Sequence, residues 1–458
     1  MFKKIEIWIL YLVLVLGFIS YIFFGALVLR EIKSDSKPIP VITPLSKAAL
    51  FLSEIPGNII KMTSANTKYP HRNKKNEKLN FSGFNGRGNK EDNYLLLSRY
   101  NGNKYKSVIE LIDLKSFKVL HTWKPEIENY LKKVDNIKDE KWEKFLESSE
   151  KKRLKIYHPL LQDNGSLIFQ TYFSPLFKIN KDSELEWVKS DVAYHHSAEE
   201  DTDGNIWICV GYYPYKIDKR YVGDEVGKYR DDGIRKLSPE GEILFDKSVS
   251  ELLIENKMEH LLFGLGGWEK DPIHLNDIEP VNFDGKYWKR GDLFLSLRNQ
   301  SMIILYRPST NEIIWKGAGE FFNQHDVDIL DNTRISIFDN NFKYTKNKKR
   351  GKVDRYNRVV IYDFENNQYS FHIDKSLKKE KVKSTRGGRS EILNGGDLLI
   401  EETHGGRLLY FNEDGSLRWS YLNRANNDFV YNLGWSRILY KEKDIAQVKS
   451  FISQGANK

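Results

Sequence analysis

The residues of this sequence best suited to chemistry are histidines standing just ahead of turn signals. Gln324-His325-Asp326 precedes the turn Asp331-Asn332, and Tyr194-His195-His196-Ser197 stands in the same place before Asp203-Gly204. His274-Leu275-Asn276-Asp277 falls on the corresponding stretch of a third segment, and Gly388-Arg389-Ser390-Glu391 on that of a fourth. A second set lies at the ends of the strands that follow, where Arg298, Asn340 and Thr403 superpose. If the segments repeat about an axis, each set forms a ring at one end of a central channel. His196, Asn276, His325, Arg298 and Thr403 would then surround a small polar cavity, with His274 and Asn340 beside them. Such a set suits a tetrahedral oxyanion. Arginine gives a forked cationic contact, histidine and asparagine give hydrogen bonds, and an imidazole nitrogen can attack.

Taken singly, each of these groups is ordinary loop or cap chemistry; their shared register is what favours a site. His71, His121, His158, His260 and His372 lack that register and read as structural, while His404 adjoins Thr403 at the rim. Clustered histidines also serve metals, but there is no H-E-x-x-H, the single Cys209 supplies no thiolate set, and Arg298 would repel a cation. No G-x-S-x-G, P-loop or helix-opening G-x-G-x-x-G occurs. No metal, cofactor or nucleic-acid partner is therefore expected. The net charge of +9 does not choose among anionic partners, and the basic tract Lys346 to Lys352 reads as a solvated loop.

The elements that must position these residues repeat from about residue 92. Six units of short alternating strands are separated by Asn-Gly, Asp-Gly and Asn-Asn turns, as in DTDGNIWICVGY and LNGGDLLIEE. This predicts an all-β, six-bladed β-propeller with insertions at Glu126 to Lys152, Tyr212 to Asp232, Ser250 to Asp271 and Phe342 to Tyr356. Of 458 residues, 40% are apolar, which excludes a mainly disordered chain. Ile5 to Leu29 is a nearly unbroken apolar run, long enough to cross a bilayer, preceded by Lys3 and Lys4. It is read as an uncleaved anchor with the body exported, rather than a signal peptide, whose apolar core is shorter. The expected organisation is 1–32 cytoplasmic tip and transmembrane helix, 33–91 juxtamembrane helix (Leu45 to Met62) and polar tether, and 92–458 propeller. The expected location is the inner (cytoplasmic) membrane, single-pass, with the propeller on the periplasmic or extracytoplasmic side.

The segments HHSAEEDTDGNIW, HLNDIEPV, LFLSLRNQSMIIL, NQHDVDIL with SIFDNN, and RSEILNGGDLLIEETHGGRLLYFNEDGSLRWSY resemble the arylsulfate sulfotransferase family over about residues 190 to 421. The resemblance implies a six-bladed propeller that transfers a sulfuryl group from a phenolic sulfate ester to a phenolic acceptor through a sulfated histidine. His325 would be that nucleophile. His274, Asn276 and Arg298 would hold the sulfuryl oxygens, with His196 and Thr403 completing the pocket. Relatives in the family typically are soluble and carry a disulfide, whereas this chain has an anchor and one cysteine. The residues leave two other readings open: a non-catalytic propeller holding an anionic envelope ligand or glycan, and a metal- or quinone-dependent propeller enzyme.

Overall fold

The computed structural model describes residues 6–32, 38–63, 71–135, 142, 154–223, 228–345 and 348–456. Lys3, Lys4, residues 64–70 of the expected tether and most of the insertion Glu126 to Lys152 lie outside them. The chain divides into two compact units, Met1–Pro70 and His71–Lys458.

In the first unit Ile7–Ile32 forms one helix of 26 residues. At about 1.5 Å rise per residue it is long enough to cross a bilayer, and nearly all of its residues are apolar. A second helix, Ile42–Thr63, contains Pro56.

The second unit is all-β with a propeller-like arrangement of antiparallel sheets. One four-stranded sheet runs Arg437–Leu439, Tyr94–Asn101, Lys106–Asp113, Val119–Trp123. A seven-stranded sheet covers Tyr157–Leu161 to Ile243–Ser248 and turns on the 16-residue strand Leu185–Glu200. Two further four-stranded sheets start with Leu275–Pro280 and His325–Ile329. The last starts with Arg389–Ile392, and Gly83–Gly86 joins it as a fifth strand.

Middle strands such as Leu293–Leu297 are buried along their whole length because sheets cover both faces. Outer strands such as Glu312–Ala318 alternate exposed and half-buried. Separate apolar clusters fill the gaps between neighbouring sheets: Trp207, Ile234, Leu293 and Leu295 in one, Phe294, Ile303, Ile335 and Val360 in another.

Three expectations change. The compact unit begins at His71, not near residue 92, because the backbone of Gly83–Gly86 pairs with Trp419–Leu422 and Asn76 hydrogen-bonds Glu402 and the Gly405 carbonyl. Within the basic tract, Lys348 to Lys352 belongs to a strand, Lys348–Val353, paired with Phe342–Thr345 rather than to a plain loop, while Lys346 and Asn347 lie outside the described residues. Finally, the histidine segments are strands themselves: the first strands of successive sheets lie side by side, so the sequence pattern placed them one element too early.

Candidate active site

The positions of the candidate residues follow from a cross-link repeated between adjacent first strands. Ser197 Oγ accepts the Ile278 N–H at 3.0 Å, Asp277 Oδ2 accepts the Val327 N–H at 2.6 Å, and Asp326 Oδ2 accepts the Ser390 N–H at 2.7 Å. His158 Nδ1 makes the same link to the Ala198 N–H at 3.3 Å. A side chain committed to the next strand fixes the register, so the residue before it (His196, Asn276, His325) falls at one level. The same strands bulge there, between His195 and Ala198, Leu275 and Asp277, and His325 and Val327. A bulge re-aims the side chain it carries. Left-handed backbone at His196 (φ 55°), His274 (φ 53°) and Asp326 (φ 52°) marks the same level, a conformation few non-glycine residues adopt.

The second set occupies matching places along the chain. Arg298 opens a single 3-10 turn after Leu293–Leu297, Thr403 opens another after Leu398–Glu402, and Asn340 directly follows Arg334–Asp339.

The histidines of the first level converge on aromatic contacts. The His196 ring centroid lies 5.2 Å from that of His274 and 6.3 Å from that of His325. Trp435, fully buried, stands 6.0 Å from both His196 and His325. Trp435 escaped the sequence reading because it precedes the short closing strand Arg437–Leu439, which pairs with a sheet from the other end of the chain. Tyr172 (5.1 Å from His196) and Phe173 (stacked on His195 at 4.5 Å) complete the aromatic surround.

Each histidine is held by a partner. His325 Nδ1 and Asn340 Oδ1 are 2.6 Å apart, and the Gly387 N–H donates to His325 Nε2 at 3.0 Å, so the proton sits on Nδ1 and the lone pair on Nε2. Asn340 also donates to the Ser384 and Gly387 carbonyls, which leaves its amide saturated. Its side chain, expected to face a substrate, is engaged here with His325 and these two carbonyls. His274 Nδ1 lies 2.6 Å from Asp271 Oδ2. His196 Nδ1 meets His195 Nδ1 at 2.8 Å, and His195 Nε2 faces Asp232 Oδ1 at 3.3 Å. Arg230 reaches both Asp232 (2.8 Å) and Asp271 (3.2 Å). Arg230, Asp232 and Asp271 carried no repeat signature in the sequence.

Around these, Arg298 is buried and donates to Asn299 Oδ1 at 2.6 Å, while the Thr403 hydroxyl donates to Glu401 at 2.7 Å. Asn276 donates to the Gln324 carbonyl at 2.8 Å. Asn276 Oδ1, Trp435 Nε1 and Arg230 Nη2 are buried without a hydrogen-bond partner among the described residues, so polar capacity is left for a ligand. His404 Nδ1 bonds the Arg386 carbonyl at the rim.

Burial, reinforced by His195, pushes His196 well below the ordinary imidazole range; burial and Arg298 do the same to His325. Burial and Arg230 bring His274 down to about 4. Burial alone would raise Asp271, but Arg230 and His274 hold it below the carboxylate range. These imidazoles stay neutral as pH falls past 6.5. The acid limb of a pH–rate profile is therefore expected below pH 5 rather than at the free imidazole value. A half-maximal rate at pH 6.5 would contradict this assignment.

Among solved structures, a protein of unknown function from Bacteroides caccae matches at 13% identity over 72% of this chain and 93% of that one, with a TM-score of 0.44. A streptogramin B lyase matches at 9% identity over 78% and 96%, with a TM-score of 0.38. Virginiamycin B lyase from Staphylococcus aureus matches at 12% identity over 59% and 71%, with a TM-score of 0.33. No curated protein sequence gives a significant match. The family profile described as Arylsulfotransferase (ASST) matches residues 161–424, more than half of the chain. That span runs from the strand carrying His158 past the turn of Thr403, and it shows that the chain belongs to the arylsulfotransferase family.

Proposed function

We propose that this protein is a membrane-attached arylsulfotransferase that moves a sulfuryl group from a phenolic sulfate ester to a phenolic acceptor in two half-reactions. The observation that supports this best is the pairing of His325 Nδ1 with Asn340, which leaves Nε2 with its lone pair at the level of His196, Asn276 and Trp435. In the first half-reaction Nε2 attacks sulfur, the S–O bond to the donor phenol breaks, and the Asn340 oxygen stabilises the positive charge that develops on the ring. The Gly387 N–H, which caps Nε2 at 3.0 Å, is then free to bond a sulfuryl oxygen. Arg298, His274 and Asn276 take the other oxygens. The donor leaves as a phenolate, which can accept a hydrogen bond from neutral His196, backed by His195 and Asp232, and takes its proton from water. An acceptor phenol reverses these steps and regenerates His325.

The body is read as six blades. The seven-stranded sheet counts as two that share Leu185–Glu200, supported by a cluster in which Leu160, Ile168 and Leu176 pack against Ile206, Ile208 and Val210. Lys3 and Lys4 before the helix favour the extracytoplasmic side for this body. Purified full-length protein given 4-nitrophenyl sulfate is expected to release nitrophenol in a phenol-dependent manner. Because Gly387 already occupies Nε2, a propeller that only binds an anionic ligand is the second reading, and absence of release with every phenol tried would select it.

A further inference from the structure

Lys155 is buried at 3% exposure, and its Nζ has no hydrogen-bond partner among the described residues. The ammonium lies 4.1 Å from the centroid of the Tyr157 ring. Tyr157 is no remote residue. It opens the first strand of the seven-stranded sheet one position before the cross-linking His158, the same place that His196, Asn276 and His325 hold before theirs. Its ring stands 5.6 Å from Tyr172 and 6.3 Å from Trp435, both of which contact His196. Tyr172 is 37% exposed, so this aromatic wall reaches solvent. An unpaired buried cation is costly unless something supplies a counter-charge. The carboxylate that acts on it, Glu401, is already bonded by the Thr403 hydroxyl and by the Trp435 and Ser436 N–H groups.

We propose that Lys155 selects the aryl group: its ammonium, beside the wall of Tyr157, Tyr172 and Trp435, recognises an acidic substituent on the phenol, so that phenolic acids of the hydroxybenzoate class bind better than neutral phenols. This rests on the arylsulfotransferase reading for the aryl ring itself. The chemistry is a charge-assisted hydrogen bond, about twice as strong as a neutral one, made where water is largely excluded.

The proposal carries its own pH signature. Burial, against the opposing pull of Glu401, brings Lys155 down to about 7. Its charge, and the selectivity, is present at pH 6 and lost as pH rises through 7. Of the other groups that face it, His404 is down at about 3 and Tyr157 is raised by burial, so both are neutral across that range.

The test compares dissociation constants of 4-hydroxybenzoate and its neutral isostere 4-hydroxybenzamide, measured by titration calorimetry on the full chain in detergent. The expected preference for the acid is tenfold or more at pH 6 and falls towards one at pH 8.5. In Lys155→Met the preference is absent at both values. In Lys155→Arg, whose guanidinium stays charged, it persists at both, which a purely structural lysine would not produce. No preference in the native chain at pH 6, or an unchanged preference in Lys155→Met, overturns the proposal. Calorimetry needs no turnover, so failure of sulfuryl transfer from 4-nitrophenyl sulfate, measured separately, would count against the enzyme reading alone.

Discussion

Replacing His325 by asparagine is expected to lower turnover of 4-nitrophenyl sulfate by about 10⁴-fold or more, the scale on which loss of a covalent nucleophile acts. The asparagine amide can still meet Asn340, so the strand His325–Ile329 keeps its bulge and the fold survives. Two measurements separate the nucleophile from a mere positioning group. Donor alone should add one sulfuryl group to the native chain by intact mass, and that adduct should vanish in His325→Asn. The melting temperature should stay close to native. A variant that retains a tenth of the native rate, or an adduct that persists without His325, would remove this residue from the chemistry. Asn340→Ala is the companion change: it frees the Nδ1 proton and should slow the same half-reaction while leaving the adduct detectable.

The largest effect on stability is expected at Arg389. Its side chain is only 5% exposed and lies 3.0 Å from Glu391, 3.5 Å from Asp326 and 3.9 Å from Asp328, with His158 bonded to the same guanidinium. Burial drives Asp326 well above the carboxylate range against the pull of Arg389, and burial together with Asp326 does the same to Asp328. Arg389→Met leaves these acids without their cation and should cost about 3–5 kcal/mol. The sign of its pH dependence follows. A carboxyl raised in the fold is protonated there at low pH and becomes a buried charge as pH rises through its folded value, so the deficit should be larger at pH 8 than at pH 5. Urea unfolding of the native chain and Arg389→Met at both values measures this; a deficit equal at both, or below 1 kcal/mol, would show that the acids are compensated elsewhere.

The outer strands were legible in the sequence because solvent on one face imposes alternation, as in Glu312–Ala318. The site residues were legible as a register, with His196, Asn276 and His325 at one level and Arg298, Asn340 and Thr403 at the other. That the first level consists of strands was not legible. Arg389–Ile392 and His325–Ile329 are four and five residues long and polar, and the second is bulged, so they carry neither period 2 nor an apolar run. The groups that hold the histidines were hidden for another reason. Asp232 lies two strands from His195 in the same sheet and Asp271 and Gly387 lie on connections, and only the folded backbone brings them to His195, His274 and His325. The tether failed as an expectation at His71–Glu91 because a backbone strand such as Gly83–Gly86 needs no side-chain pattern to pair.

The sheet that begins at Tyr94 borrows its first strand, Arg437–Leu439, from the far end of the sequence. Ribosomes add about 5–20 residues per second, so some tens of seconds separate the making of the two halves of that sheet. During that interval Tyr94–Asn101 presents a bare edge, the kind of template that recruits a wrong strand. Its apolar residues Leu95, Leu96 and Leu97 also wait for their neighbours. The loop closed by this pairing is nearly as long as the body itself, so this contact is among the longest-range in the fold. A chain threaded through a membrane as it is made would cross as an open ribbon and become a ring only on the other side.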